Sequence, residues 1–307
     1  MKDELYKRYR PKMLMDVVGQ DGAVESIQSM LKNEDVPHAI LFSGPSGCGK
    51  TTLARILKDA LNCSKYDFTE LNSASLRGID DVRSIQRVVE RAPMKGDCRV
   101  WIIDECHRMT TDAQSAMLKT LEDPPTHAYF LLCTTEPSKL LRTIRTRCMD
   151  IKVNPLADSD IKKVISAICK KEKKKLPTNV LEKIVENSGG SARQAVVYLQ
   201  QVVGLKSTSA MLEAIVPEAA QKQGIDIARA IFSGKRWSDM VKVLRNVTED
   251  PETIRRIVLG YARTILLSGN LDKARRAYDV IEAFGTHFFD SGNAGLAGAC
   301  FELFETK

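Results

Sequence analysis

Gly44-Pro45-Ser46-Gly47-Cys48-Gly49-Lys50-Thr51-Thr52 is the stretch on which the reading of this chain turns. It fits the phosphate-binding loop G-x-x-x-x-G-K-[ST], and its flanks agree. Ala39-Ile40-Leu41-Phe42 before it reads as a buried strand, and Thr52-Leu53-Ala54-Arg55-Ile56-Leu57 after it reads as a helix. The glycines let backbone N–H groups close around phosphate oxygens, and the helix N-terminus adds the positive end of its dipole. Lys50 is expected to neutralise the β- and γ-phosphates of a nucleotide and the Thr51 hydroxyl to hold Mg²⁺. A glycine-rich turn matching by chance is the competing reading, and the strand and helix at its two ends argue against it.

Downstream, the apolar run Val100-Trp101-Ile102-Ile103 ends in Asp104-Glu105-Cys106-His107. Apolar residues in a row imply a strand buried on both faces, as in a parallel sheet. Two carboxylates at its C-terminal end fall where α/β sheets place their chemistry. Asp104 is the natural partner of Mg²⁺, and Glu105 the natural base for an attacking water. Behind a phosphate loop, this pair points to a nucleoside triphosphatase.

The 307 residues leave room for two or three domains, and 43% hydrophobic with 28% charged residues is ordinary for a soluble protein. No apolar run reaches the length of a membrane span, and Met1-Lys2-Asp3-Glu4 does not open a signal peptide, so a cytosolic or nucleoid location and no membrane partner are expected. The eight cysteines include no C-x-x-C pair, so a zinc site is not expected, and several fall in apolar strands where a reduced thiol packs as a small hydrophobe. A net charge of +7 favours an acidic partner, weakly.

Three regions separate by pattern. Residues 1–154 alternate short strands, near 39–43, 68–71, 99–103, 128–133 and 149–153, with amphipathic helices, which indicates a parallel sheet wound with helices. Residues 155–205 carry helices only. Ile161, Val164, Ile165 and Ile168 share one helix face, a second helix runs around Val180–Val185, and Ser191 is a plausible N-cap of a third. Residues 206–307 are again helical, broken at Ser233-Gly234, Asp250-Pro251, Ser268-Gly269 and Phe284-Gly285-Thr286. The basic run Lys170–Lys175 reads first as a solvated helix end and second as a nucleic-acid contact. His107 follows the carboxylates and could sense the nucleotide, but its spacing suits no metal site, and a structural role is the stronger reading.

Further segments carry a resemblance. Tyr9-Arg10-Pro11 with Asp16-Val17-Val18-Gly19-Gln20, Glu70–Ser75 with Arg77-Gly78-Ile79-Asp80 and Arg83, and Leu118-Lys119-Thr120-Leu121-Glu122-Asp123-Pro124-Pro125 are three of them. Leu132–Pro137 and Thr146-Arg147-Cys148 complete the series. Over residues 6 to about 200 the chain resembles AAA+ clamp-loader ATPases, between the bacterial DNA polymerase III gamma/tau and the replication factor C small-subunit types. The resemblance implies an α/β P-loop AAA+ core (1–154), a small helical lid (155–205) and an all-helical collar for oligomerisation (206–307).

The same resemblance implies ATP and Mg²⁺ as cofactors. It makes Gly44 to Thr52, Asp104, Thr135 (with Thr134 as the alternative) and Arg193 the nucleotide-binding set, with Arg10, Pro11, Val17 and Val18 around the adenine. Arg147 would be an arginine finger serving the neighbouring subunit, beside Glu105 and Lys50. Arg77, Arg83, Thr110 and Thr111 are the candidates for DNA. Implied partners are further subunits, in a pentamer-like assembly, a ring-shaped sliding clamp and primer–template DNA, for loading of that clamp in DNA replication.

Two departures stand out. The four-cysteine module of gamma/tau is expected to be absent, since only Cys63 stands in its place, and the family's Ser-Arg-Cys reads Thr146-Arg147-Cys148. Ending at Lys307, the chain is also expected to lack the extension by which tau proteins reach polymerase and helicase. The rival readings are an AAA+ DNA motor of helicase or branch-migration type, because Asp104–His107 fits D-E-x-H, and an ATPase-inactive structural subunit. Lack of a second motor domain argues against the first, and intact Lys50, Thr51, Asp104, Glu105 and Arg147 against the second.

Overall fold

A computed structural model describes residues 4–72, 79–215, 218–234, 236–269 and 271–305. Its centre is one parallel sheet of five strands: β1 (Ala39–Ser43), β2 (Phe68–Asn72), β3 (Arg99–Asp104), β4 (Ala128–Thr134) and β5 (Met149–Lys152). The strand order is β2-β3-β4-β1-β5, and every pairing is parallel. The expected strands agree with these bounds to within a residue.

The contiguous apolar runs have a simple cause. Alternate residues of each strand point to opposite faces, and both faces are covered. Leu41, Trp101, Ile103, Phe130 and Leu132 pack with Val82, Ile85 and Val89 of the Ile79–Val89 helix and Met117 and Leu121 of the Thr111–Glu122 helix. Their neighbours Ile40, Phe42, Val100, Ile102, Leu131 and Ile151 pack with Ile27 and Met30 of the Asp21–Lys32 helix and Leu53 and Leu57 of the Lys50–Ala60 helix. A strand buried on both sides has no polar face to show.

The Lys50–Ala60 helix passes to β2 by a short link pinned at a buried carboxylate. Asp67 accepts hydrogen bonds from Met94 N (2.6 Å), Lys95 N (2.9 Å), Gly96 N (3.1 Å) and Ser64 Oγ (2.6 Å). Burial alone would raise its pKa. The bonds from Met94, Ser64, Lys95 and Gly96 hold it well below the usual carboxylate range instead.

The chain divides into two compact units. One comprises residues up to Ile168 together with Gly190–Val196, and the other Cys169–Gly189 with Val197 onward. The second is helical, with helices at Thr178–Ser188, Thr208–Ile215, Glu218–Phe232, Trp237–Arg245, Pro251–Leu266, Leu271–Ala283 and Gly292–Glu305. Ile227, Ile231, Met240, Ile254, Val258, Val280, Phe284 and Leu296 form its core. Asp250 caps the Pro251–Leu266 helix by accepting from Thr253 N. Two residues on, Glu252 is 3% exposed and accepts from Arg255 Nε (2.9 Å), Arg255 Nη2 (2.7 Å) and Phe288 N (3.0 Å). Among the described residues no helix is long and apolar enough to cross a membrane. All eight cysteines are free, and only Cys148 is more than slightly exposed.

Candidate nucleotide site

Because β4 lies between β3 and β1, three strand ends stand side by side: Asp104-Glu105 after β3, Thr134-Thr135 after β4, and Gly44 after β1. The loop from Gly44 to Gly49 leads into the Lys50–Ala60 helix, and Gly44, Gly47 and Gly49 all hold positive φ. Lys50 is 5% exposed and donates from Nζ to Gly44 O (2.7 Å) and Pro45 O (2.8 Å), so the loop curls about its own ammonium group. Burial pushes the lysine pKa down, against the carboxylates of Glu105 and Asp104. Cys48 is buried between Ser46 O and Gly190 O, and burial lifts its thiol to about 11, out of reach of thiolate chemistry.

Across the loop, Thr51 Oγ1 donates to Asp104 Oδ2 at 3.0 Å, while Asp104 Oδ1 accepts from Glu105 N at 3.0 Å. A hydroxyl and a carboxylate oxygen meeting at the mouth of a phosphate loop are the hard ligands Mg²⁺ takes beside phosphate oxygens, so the donor set fits the ion. Glu105 stands in the left-handed region (φ 51), and its Oε2 accepts from Thr135 Oγ1 at 3.1 Å. Of the two threonines, Thr135 reaches the glutamate. Thr134 is fully buried, faces His107 Nδ1 (3.1 Å) and accepts from Glu136 N (3.0 Å).

The remaining candidates fall in separate places. Arg193 opens the Ala192–Val202 helix, which Ser191 caps by accepting from Gln194 N. Its amide donates to Gly47 O (3.3 Å), its guanidinium lies 5.1 Å from the Tyr6 ring centroid, and a Cβ at Gly47 would stand 2.1 Å from Ser191 Oγ. The loop and this helix start are thus in direct contact. Arg10, Pro11, Val17 and Val18 are half-buried in the N-terminal segment, which Gln20 fastens to Asn154 by a pair of amide hydrogen bonds.

Arg147 follows the short Arg142–Arg145 helix. It bonds Thr143 O (3.0 Å) and pairs with Glu122 (3.1 Å), partners outside the phosphate loop, and its Nε is buried without an acceptor. Thr110 and Thr111 are exposed, the first as N-cap of the Thr111–Glu122 helix through Ala113 N (3.2 Å). Arg83 is exposed on the Ile79–Val89 helix, and Arg77 lies outside the described residues. Sequence reasoning took His107 as structural and passed over Tyr6. Tyr6 gave no signal, its contact being set by the fold alone; His107 sits two residues from Glu105 in a turn that folds back.

A parallel 2-3-4-1-5 sheet with this loop, this carboxylate pair and a helical second unit defines the AAA+ class of P-loop proteins. Comparison with known proteins sharpens that. A family model described as DNA polymerase III, delta subunit, matches residues 19–78 and 67–157. The DNA polymerase III subunit gamma/tau of Mycobacterium tuberculosis is 35% identical over 222 residues, 65% of this chain and 38% of that protein. The tau subunit of Bacillus subtilis is 31% identical over 289 residues, 86% and 51% respectively. The gamma subunit of Buchnera aphidicola is 32% identical over 236 residues, 68% and 65%. The chain is therefore a relative of the DNA polymerase III gamma/tau proteins, and it spans between about a third and two thirds of the length of those it matches. Among solved structures, the Thermotoga maritima RuvB Holliday junction branch migration motor is alike in fold, with a TM-score of 0.60 at 21% identity over 77% of this chain and 85% of that one.

Proposed function

We propose that the chain is an ATPase subunit of a clamp loader, which uses ATP binding and hydrolysis at subunit interfaces to place a ring-shaped sliding clamp on primer–template DNA. The observation that carries the reading is the row Thr51–Asp104–Glu105–Thr135 beside Lys50, on a chain whose relatives bear the name gamma/tau. Residues 1–154 act as the ATPase core, 155–205 as lid and 206–307 as collar, in a replication assembly of the cytosol.

Within the site, loop amides from Gly44 to Thr52 cradle phosphates, and Lys50 exchanges its bonds to Gly44 O and Pro45 O for phosphate oxygens. Thr51 and Asp104 hold Mg²⁺, which when bound neutralises charge developing on the phosphates. Glu105, steadied by Thr135, orients the attacking water as general base. Arg193 couples the loop to the lid through Gly47. Arg147, whose guanidinium keeps one N–H unsatisfied within its own chain, reaches the γ-phosphate of a neighbouring subunit, with Arg10, Pro11, Val17 and Val18 around the adenine. Arg83 and Arg77, with the Thr110 and Thr111 hydroxyls, meet DNA phosphates, so binding depends on shape and salt rather than sequence. Likeness to RuvB is one of fold and adds no weight to a branch-migration motor.

The test is ATP turnover of the purified chain with and without its partner subunits, a clamp and primed DNA. Glu105→Gln should keep ATP binding while hydrolysis falls by roughly 10²–10⁴. Near-normal turnover in Glu105→Gln would remove Glu105 from catalysis.

A further inference from the structure

The buried imidazole of His107 stands against Glu105 and has no task in the reading above. Glu105 opens a left-handed turn, and the helical turn Cys106–Arg108 carries the ring back toward the carboxylate. The side chain is 4% exposed. Its Nδ1 lies 3.1 Å from Thr134 Oγ1 and 3.5 Å from Glu105 Oε2, and its Nε2 lies 3.4 Å from Glu136 Oε1. These neighbours are themselves held: Thr134 Oγ1 accepts from Glu136 N (3.0 Å), and Glu136 pairs with Lys139 (2.6 Å). Glu105 Oε2 thus sits between the Thr135 hydroxyl and the ring.

We propose that His107 is a positioning residue for Glu105: wedged between Thr134 and Glu136, the ring sets where the carboxylate stands and ties it to the Glu136–Lys139 turn after β4. The proposal rests on the ATPase reading and extends it to a group that touches neither phosphate loop nor Mg²⁺ ligands in the contacts above.

Four charged groups face the ring. Burial lowers its pKa, Glu105 and Glu136 oppose that, and Arg108 and Lys139 add to it, so the ring is neutral at neutral pH. A neutral ring whose Nε2–H turns to Glu136 offers Nδ1 as acceptor to the Thr134 hydroxyl. Glu105 then keeps its bond from Thr135, and the ring packed beside Oε2 fixes where the carboxylate stands without donating to it, so the carboxylate stays able to accept from a water. A proton added at Nδ1 creates a donor facing Oε2 and pins the carboxylate to the ring. Acid should therefore slow turnover without weakening ATP binding.

The experiment measures kcat and KM for ATP from pH 5 to 9 in the full chain with its partner subunits, for wild type, His107→Ala and His107→Asn. His107→Ala should lower kcat on the order of 10- to 100-fold, the usual effect of a small misplacement of a reacting group, with KM within about twofold. Asn places an amide near the position of Nδ1 but cannot take a proton. It should restore most of kcat and lose the acid limb that wild type shows on the acid side of the ordinary histidine range. Wild-type kcat in a folded His107→Ala protein, or an unchanged acid limb in His107→Asn, overturns the proposal. Histidine-selective NMR reads the contact without turnover. The His107 pKa should fall further in Glu105→Gln, because a carboxylate that favours the charged ring is gone, and an unmoved pKa overturns the proposal. A wild type that turns over no ATP refutes the ATPase reading instead, and the NMR titration then still decides whether Glu105 and His107 are coupled.

Discussion

Two glycines of the phosphate loop look alike in sequence, yet adding one methyl group to each should have different consequences. At Gly44 (φ +145), a Cβ would lie 1.9 Å from the backbone oxygen of Val153; at Gly49 (φ +112) it would meet nothing within 4 Å. Gly49→Ala therefore carries only the cost of holding an alanine in a sparsely populated backbone region, roughly 1–3 kcal/mol. Gly44→Ala carries that cost and must also push the chain after β5 back by about 1.5 Å to reach ordinary contact. That movement strains two backbone hydrogen bonds, Val153 N to Ser43 O (2.7 Å) and Gly44 N to Thr134 O (3.2 Å). At roughly 0.5–1.5 kcal/mol each, the total for Gly44→Ala is about 2–6 kcal/mol. A unit of this size loses about 2–4 °C per kcal/mol, so the expected fall is about 4–24 °C for Gly44→Ala and about 2–12 °C for Gly49→Ala, the first the larger because the displacement adds to a backbone cost that both share.

The assay can be confined to the unit that carries the sheet. Trp101 lies in β3, stacked 5.1 Å from Phe130, whereas Trp237 packs on Phe301 and Phe304 of the helical unit. In a Trp237→Phe background, Trp101 fluorescence alone follows unfolding of the sheet. Gly44→Ala melting within about 2 °C of the parent, or Gly49→Ala falling as far as Gly44→Ala, would refute the steric argument.

Two further predictions follow from charge. Burial would raise the Glu252 pKa, but its bonds from Arg255 and Phe288 N hold it at about 2. The stabilisation is therefore present above the unfolded value of 4.5 and lost as pH falls from there toward 2. Glu252→Gln should cost about 3–5 kcal/mol at pH 7 by leaving Arg255 buried and unpaired, and melting curves should show that penalty shrinking by pH 3; a penalty constant with pH would contradict the assignment. Arg147→Ala removes a partly exposed ion pair to Glu122 and an exposed hydrogen bond to Thr143 O, so thermal melting should change little (about 0–2 kcal/mol) while ATP hydrolysis drops by roughly 10³ or more. Where identical chains adjoin and exchange, mixing it with Lys50→Ala should recover activity; no recovery at any ratio would place Arg147 in its own subunit's site or in the fold alone.

Much of the sheet-bearing unit was legible because parallel strands buried on both faces have nowhere to put a polar side chain. Runs such as Ile40-Leu41-Phe42 and Val100–Ile103 betray themselves, and glycine spacing marks the loop between a strand and a helix. Register and strand order were not legible. Nothing in the residues of β4 says that it lies between β1 and β3, yet that placement brings Thr135 to Glu105. Nor does the sequence reveal that Asp67 ties down residues 94–96, which lets the Lys50–Ala60 helix pass directly to β2.

His107 marks the boundary between the two kinds of knowledge. In an extended strand its position would share a face with Glu105 at a distance; in a helix the two would point apart. Only the left-handed backbone at Glu105, followed by a single helical turn, folds the ring back onto the carboxylate. A non-glycine residue in that region is held there by its surroundings and tends to occur where function needs a particular side-chain direction. The Asp104 carboxylate fastens the amide of Glu105 at 3.0 Å, so the Mg²⁺-binding candidate also anchors the start of this turn. Asp104 and Glu105 are thus mechanically joined, and a substitution at Asp104 should disturb the aim of Glu105, the proposed general base, as well as the proposed Mg²⁺ ligand itself.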